Sequence, residues 1–212
     1  MRPPESWRTA RATLAILAVT ALAFVLVHGA GAEARAHSWA GFLPYRFSFD
    51  GYGPGAPLWL TPLTATLAHA DLIHLGFNLL ILAFCGRATE GVLGPIGLVL
   101  LYLLGAYAAA AGHYLMEPGS MVPMIGASGA VSAVLGAYAM LFGRNKVRVS
   151  SPTLALWLNA LWLIAGWIAL QLVIGLVSAG TSIGIAVGAH IGGFLVGIVL
   201  ARPLLLFRYR RA

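Results

Sequence analysis

Residues 121–138 read MVPMIGASGAVSAVLGAY, an uncharged run of mostly small side chains with a serine held between glycines at Gly126-Ala127-Ser128-Gly129. A run this apolar belongs to a helix meant for lipid. Two readings compete for Ser128. It is packing filler where membrane helices approach closely, or it is a nucleophile.

The rest of the chain has the same character. Of 212 residues, 60% are hydrophobic and 9% are charged, with a mean hydropathy of +0.88. An ordinary soluble domain carries about 25% charged residues, so this chain lacks the polar groups to wet a globule. It reads as an all-α polytopic membrane protein with the bilayer as its main solvent. Cys85 is the only cysteine, which excludes an internal disulfide and says nothing of redox compartment.

Apolar stretches near 12–29, 69–86, 92–112, 124–143, 153–177 and 181–201 approach the ~20 residues needed to cross ~30 Å of hydrocarbon. The first follows Arg2, Arg8 and Arg11 and precedes AGAEARA, as a cleaved signal peptide would. Its apolar run exceeds a usual signal core, and it is read as a retained helix. With the N-terminus in the cytoplasm, only Arg35 and Arg46 of the 13 basic residues fall on the outer side. That asymmetry supports a six-helix bundle with both termini cytoplasmic; the cell membrane is the expected location. The net charge of +7 is then a matter of topology and anionic lipid, not of nucleic acid.

A single membrane domain over residues 1–212 is expected. It comprises a cytoplasmic tail at 1–11, a long outer loop at 30–67 and a basic cytoplasmic tail at 202–212. The outer loop is too broken to span and too long for a simple turn. Its Trp39, Phe42, Tyr45, Phe47, Phe49, Tyr52 and Trp59 suit a segment lying in the membrane interface. A short loop at 113–122 is a candidate lid on the outer side.

Polar groups inside spans are expensive, so each needs a reason. Glu5, Glu33, Asp50, Asp71, Glu90 and Glu117 all fall in loops or at span ends, which excludes an intramembrane aspartyl dyad and disfavours a proton-coupled transporter. HExxH is absent, which counts against a helical zinc protease. What remains is Ser128, His190, His74, Asn78 and His69. Ser128 lies 16 residues before Arg144, His190 12 before Arg202 and His74 13 before Arg87. At ~1.5 Å per residue these sit about 24, 18 and 20 Å above the inner anchors, in one outer layer.

Around His190, Gly184, Gly188 and Gly192 repeat every four residues, as do Ala189, Gly193 and Gly197; Gly129, Ala133 and Ala137 do the same beside Ser128. Such faces let helix backbones approach closely. Close approach is what a short serine needs to reach a histidine on another helix, at ~2.6–3.2 Å. His74 and Asn78 are i, i+4 and share a helix face, where both can donate to an oxyanion beside the Ser128 N–H. A zinc site from His69, His74 and His190 is the sharper rival, though it would need three imidazoles.

These residues resemble the rhomboid family of intramembrane serine proteases. HADLIHLGFN is similar to the family's second-helix HxxxxHxxxN, with His69, His74 and Asn78 at its polar positions. GASGAVSAVLGAY is similar to the GxSG helix and AHIGGFLVG to the last-helix AHxxGxxxG. Glu90, in GRATEG, resembles a glutamate at the cytoplasmic end of the second helix. The resemblance implies Ser128 as nucleophile, His190 as general base, and His74, Asn78 and the Ser128 N–H around the oxyanion. His69, Gly126, Gly129 and Gly193 would support the site. It implies membrane-anchored protein substrates, a site open to the extracytoplasmic side, and no metal or organic cofactor. Oligomeric state is not implied.

Two departures stand out. The Trp-Arg pair that many members carry in the first outer loop is here Trp59-Leu60. The aromatic expected four residues after the nucleophile is Ser132, which predicts a less firmly held His190. An inactive member that binds and escorts membrane helices is the alternative; the intact Ser128 and His190 argue against it.

Overall fold

A computed structural model describes residues 7, 10–49, 53, 55–143, 149, 151–178 and 185–210. Arg2, Glu5, Arg8, Asp50, Tyr52, Arg144, Lys146, Arg148, Gly184 and Arg211 lie outside the described residues. Apart from one isolated antiparallel bridge, the regular structure of the described residues is helical.

Helix α1 (Arg11–Gly29) covers the first expected segment. The outer stretch read as a loop is largely helical, holding α2 (Glu33–Ala40) and α3 (Pro44–Ser48), then α4 (Thr61–Thr64) flanked by 3-10 turns at Leu58–Leu60 and Ala65–Leu67. Pro44 and Pro62 sit in first turns, where the missing N–H costs nothing. Trp39, Phe47, Phe49 and Trp59 are exposed, as interfacial aromatics should be, but Phe42 is buried. Arg46 is buried too, donating to the Ala56 carbonyl at 3.1 Å.

Helix α5 (Leu72–Ile81) starts at Asp71, whose carboxylate accepts the His74 N–H at 2.7 Å. That cap corrects the expected boundary: His69 precedes the helix rather than riding on it. α5 continues through a π turn (Leu82–Gly86) into α6 (Arg87–Met116). This 45-residue apolar stretch is broken at Gly94, where φ is 77° and Pro95 can only begin a new helix. The two halves match the stretches expected near 69–86 and 92–112. Because α6 runs to Met116, the outer connection starts at Glu117 and not at 113.

Helix α7 (Ser128–Phe142) is shorter than the expected 124–143. Residues 124–127 are non-helical: Gly126 has φ 106°, and Met124 exchanges backbone hydrogen bonds with Phe42 at 3.0 and 2.8 Å. The Tyr45 N–H also holds the Ser120 carbonyl, so the candidate lid is tied to the outer segment. α8 is Pro152–Ser178, and α9 (Val187–Tyr209) runs past Arg202 and through Pro203, so most of the expected basic tail is helix.

By length and composition, Arg11–Gly29, Leu72–Met116, Pro152–Val173 and Val187–Tyr209 can cross a membrane, while Ser128–Phe142 is a shorter apolar helix. The protein is an integral, multi-pass helical membrane protein. Its centre is α6, α7 and α9, joined by small residues such as Ala106, Ala130, Ala133 and Ala201. Lipid gives apolar faces no reason to leave it, so van der Waals contact at short interhelical distance carries this packing. At the far end of α9 the buried Glu90 carboxylate accepts the Ala12 N–H, the Thr13 N–H and the Thr13 hydroxyl at 2.9, 2.8 and 2.7 Å. The two N–H groups are donors that a helix start leaves without partners. α8 packs chiefly on α9, with Trp167 stacked on Phe194 at 4.7 Å.

Candidate active site

Ser128 is the first residue of α7, so the N–H groups of its first turn have no acceptor within the helix, and the positive end of the helix dipole lies there. The helix starts there because Gly126 turns the chain with a φ that side-chain-bearing residues rarely adopt. The Ser128 hydroxyl lies 2.9 Å from Nε2 of His190, in the first turn of α9 and 62 residues away in sequence.

Backbone contact brings the two helices this close. A Cβ on Gly193 would run into the Gly129 carbonyl, and one on Gly129 would meet Ala109 of α6. Gly188 and Gly192 repeat the pattern against Gly112 and Ala108 of α6. The small-residue spacing seen in the sequence is therefore the contact surface itself.

On the other side of Ser128, the half-buried His74 ring lies against Gly126, where a Cβ would come within 2.6 Å of Cε1 and Nε2. Asn78 is buried one turn further along α5 and donates from Nδ2 to the His74 carbonyl at 2.9 Å. That leaves one of its two amide N–H bonds for another acceptor. His69 is buried as well, and its Nε2 accepts the Ala127 N–H at 3.3 Å. Its own carbonyl accepts from His37 Nε2 at 3.2 Å, and its ring meets His74 edge to face at 5.0 Å. His69 thus bonds the residue next to Ser128, while His37 of α2 holds His69.

Ser132 donates to the Ser128 carbonyl at 2.8 Å. The grip on His190 comes from α8 instead: Gln171 Oε1 lies 2.8 Å from His190 Nδ1, and the Trp167 indole N–H donates to the His190 carbonyl at 3.1 Å. Sequence reasoning missed both residues. The available signal was Gln171 itself, a polar side chain inside an apolar helix with an aromatic four residues before it. Among the described residues no three His, Cys, Asp or Glu side chains converge as metal ligands do. The two His190 ring nitrogens are engaged by Ser128 and Gln171.

Residues 57–207 match the Rhomboid domain. The chain is 28% identical over 191 residues to the rhomboid protease GlpG of Pectobacterium atrosepticum, covering 89% of this chain and 61% of that protein. It is 34% identical over 156 residues to the chloroplastic rhomboid-like protein 11 of Arabidopsis thaliana, covering 68% of this chain and 52% of that one. A GlpG of Yersinia pestis is 29% identical over 135 residues, covering 63% and 44%. The chain therefore spans between two fifths and three fifths of the length of these relatives. Ser128, His190, His74, Asn78, His69 and Gln171 all lie within the matched residues.

Proposed function

Because the chain belongs to the rhomboid family of intramembrane serine proteases, we propose that it cleaves membrane-anchored proteins within or beside their transmembrane segments. The observation that carries this reading is the 2.9 Å contact between Ser128 Oγ and His190 Nε2. His190 takes the hydroxyl proton as Ser128 attacks the scissile carbonyl, giving an acyl-enzyme. The proton then passes from His190 to the leaving amine, and water, activated by the same imidazole, releases the acyl group.

The negative oxygen formed during attack is held by the Ser128 N–H at the start of α7, by His74 and by the second amide hydrogen of Asn78. One such donor is typically worth about 2.7–4 kcal/mol of transition-state stabilisation. His69 keeps the Ala127 peptide in place, and Gly126, Gly129 and Gly193 leave room for His74 and for the two helices. No metal or organic cofactor enters these steps.

The whole chain acts as one membrane domain in the cell membrane, in six crossings with both termini cytoplasmic. The positive-inside bias of its basic residues supports that orientation and a site open to the extracytoplasmic side, from which water enters.

The test is cleavage of a single-span protein substrate by the purified chain in detergent, comparing wild type, Ser128→Ala and His190→Ala. Cleavage by wild type alone supports the reading. Cleavage that persists in Ser128→Ala sinks it. If wild type neither cleaves nor takes a fluorophosphonate label at Ser128, the chain is a non-catalytic binder of membrane helices.

A further inference from the structure

We infer that Gln171 is a positioning residue for this reaction, fixing from α8 the tautomer and orientation of the His190 imidazole. The inference rests on the reading of Ser128 and His190 as nucleophile and base. A neutral imidazole carries one N–H and one bare nitrogen. To accept the Ser128 proton, His190 must present a bare Nε2, so its own proton belongs on Nδ1. That N–H needs an acceptor, and the Gln171 carboxamide oxygen lies 2.8 Å away. An amide oxygen accepts and does not donate, so this contact selects the tautomer that general-base catalysis requires.

Burial points the same way. Gln171 is 2% exposed on a helix whose neighbouring Leu170, Leu172 and Val173 are exposed apolar side chains. A carboxamide in such a helix is costly unless it is paired, and its partner is the imidazole. α8 holds the same stretch of α9 at two further points, Trp167 N–H on the His190 carbonyl and the Trp167 ring on Phe194. α7 gives no such brace, because the Ser132 hydroxyl is bonded to the Ser128 carbonyl. The polar groups around the imidazole are Ser128 from α7, Gln171 from α8 and, across the site, the titratable His74 from α5. Gln171 is uncharged, so it orients His190 without the added stabilisation of the imidazolium that a carboxylate would supply.

The test uses the purified full chain with Gln171→Met, which keeps the length but removes the acceptor, and Gln171→Glu, which keeps an acceptor and adds charge. Substrate cleavage and fluorophosphonate labelling at Ser128 are followed over roughly pH 4 to 9, a window wider on both sides than the ordinary titration of a histidine. Gln171→Met should lower kcat about 10- to 100-fold, the usual cost of losing an orienting partner, with KM little changed. Gln171→Glu should stay active and move the acid limb of the kcat/KM profile to higher pH by about one unit or more. Wild-type kcat in Gln171→Met overturns the inference. So do equal losses in both variants with an unmoved acid limb, which would mean packing alone. If Gln171→Met does not fold, the acid limb of Gln171→Glu decides. A wild type without Ser128-dependent labelling overturns the underlying reading as well, whereas a labelled wild type with an unmoved limb overturns only the role of Gln171.

Discussion

Gly193 of α9 rests against the backbone carbonyl of Gly129 in α7, with no room for a Cβ between them. Ser128 is the residue before Gly129, and His190 is one turn before Gly193. This backbone contact therefore sets the gap across which hydroxyl and imidazole meet at 2.9 Å.

Gly193→Ala should force α7 and α9 apart. Overpacking of a close-packed interface costs about 1–3 kcal/mol. The melting temperature should fall, and fluorophosphonate labelling of Ser128 should slow. Gly166→Ala is the control, since a Cβ there meets nothing within 4 Å. Equal labelling rates in the two variants would mean that the contact does not govern the site.

Gly126→Ala meets two obstacles, the φ of 106° and the His74 ring. Backbone strain of this kind costs about 1–3 kcal/mol. A His74 pushed aside would also leave the place near the oxyanion proposed for it, and removing such a donor lowers kcat about 10²- to 10³-fold. Kinetics of Gly126→Ala, His74→Ala and the double variant check this. If the glycine acts through His74, the two kcat losses will not add.

His69→Leu deprives the Ala127 N–H of its acceptor in a buried place. An unsatisfied buried donor costs about 1–3 kcal/mol. Thermal unfolding should show a lower melting temperature for His69→Leu, partly restored in His69→Gln, whose amide oxygen can accept. Equal melting of the leucine and glutamine variants would show that volume, not the hydrogen bond, matters at this position.

Glu90→Ala removes the acceptor of three hydrogen bonds from α1. Hydrogen bonds to charged groups are worth about 1.5–3 kcal/mol each, so stability should fall clearly. Arg208 bonds the Glu90 carbonyl, 18 positions along α9 from His190, or about 27 Å by helical rise. Cleavage per labelled Ser128 should therefore be unchanged. A fall in kcat per labelled serine would show coupling between the two ends of α9.

Legibility in the sequence followed the range of each signal. The apolar stretches and the small-residue faces around Ser128 and His190 are local patterns, and each has a helix in the structure. Boundaries were less legible. The start of α5 depends on the Asp71 cap, and the start of α7 depends on a single backbone turn at Gly126 rather than on hydropathy. The outer segment between α1 and α5 carries no clear apolar period, yet it is mostly helical and buries Phe42 and Arg46. Gln171 escaped notice because its partner, His190, lies on another helix 19 residues away in sequence, and nothing within one window of sequence pairs them.

The sequence alone determined that the chain lives in lipid, that its elements are helices, and that Ser128, His190, His74 and Asn78 are among the few polar groups their depth has to account for. Those are properties of composition and of short windows, because the transfer cost of a side chain depends first on what it is. Which nitrogen faces which oxygen was decided only by the tertiary structure. Glycine-to-carbonyl contacts fix the distance between α7 and α9, and the docking of α8 puts Gln171 on the far nitrogen of His190. Hydrogen-bond geometry is a property of two backbones held together at a distance of a few ångströms, and no single stretch of sequence contains both.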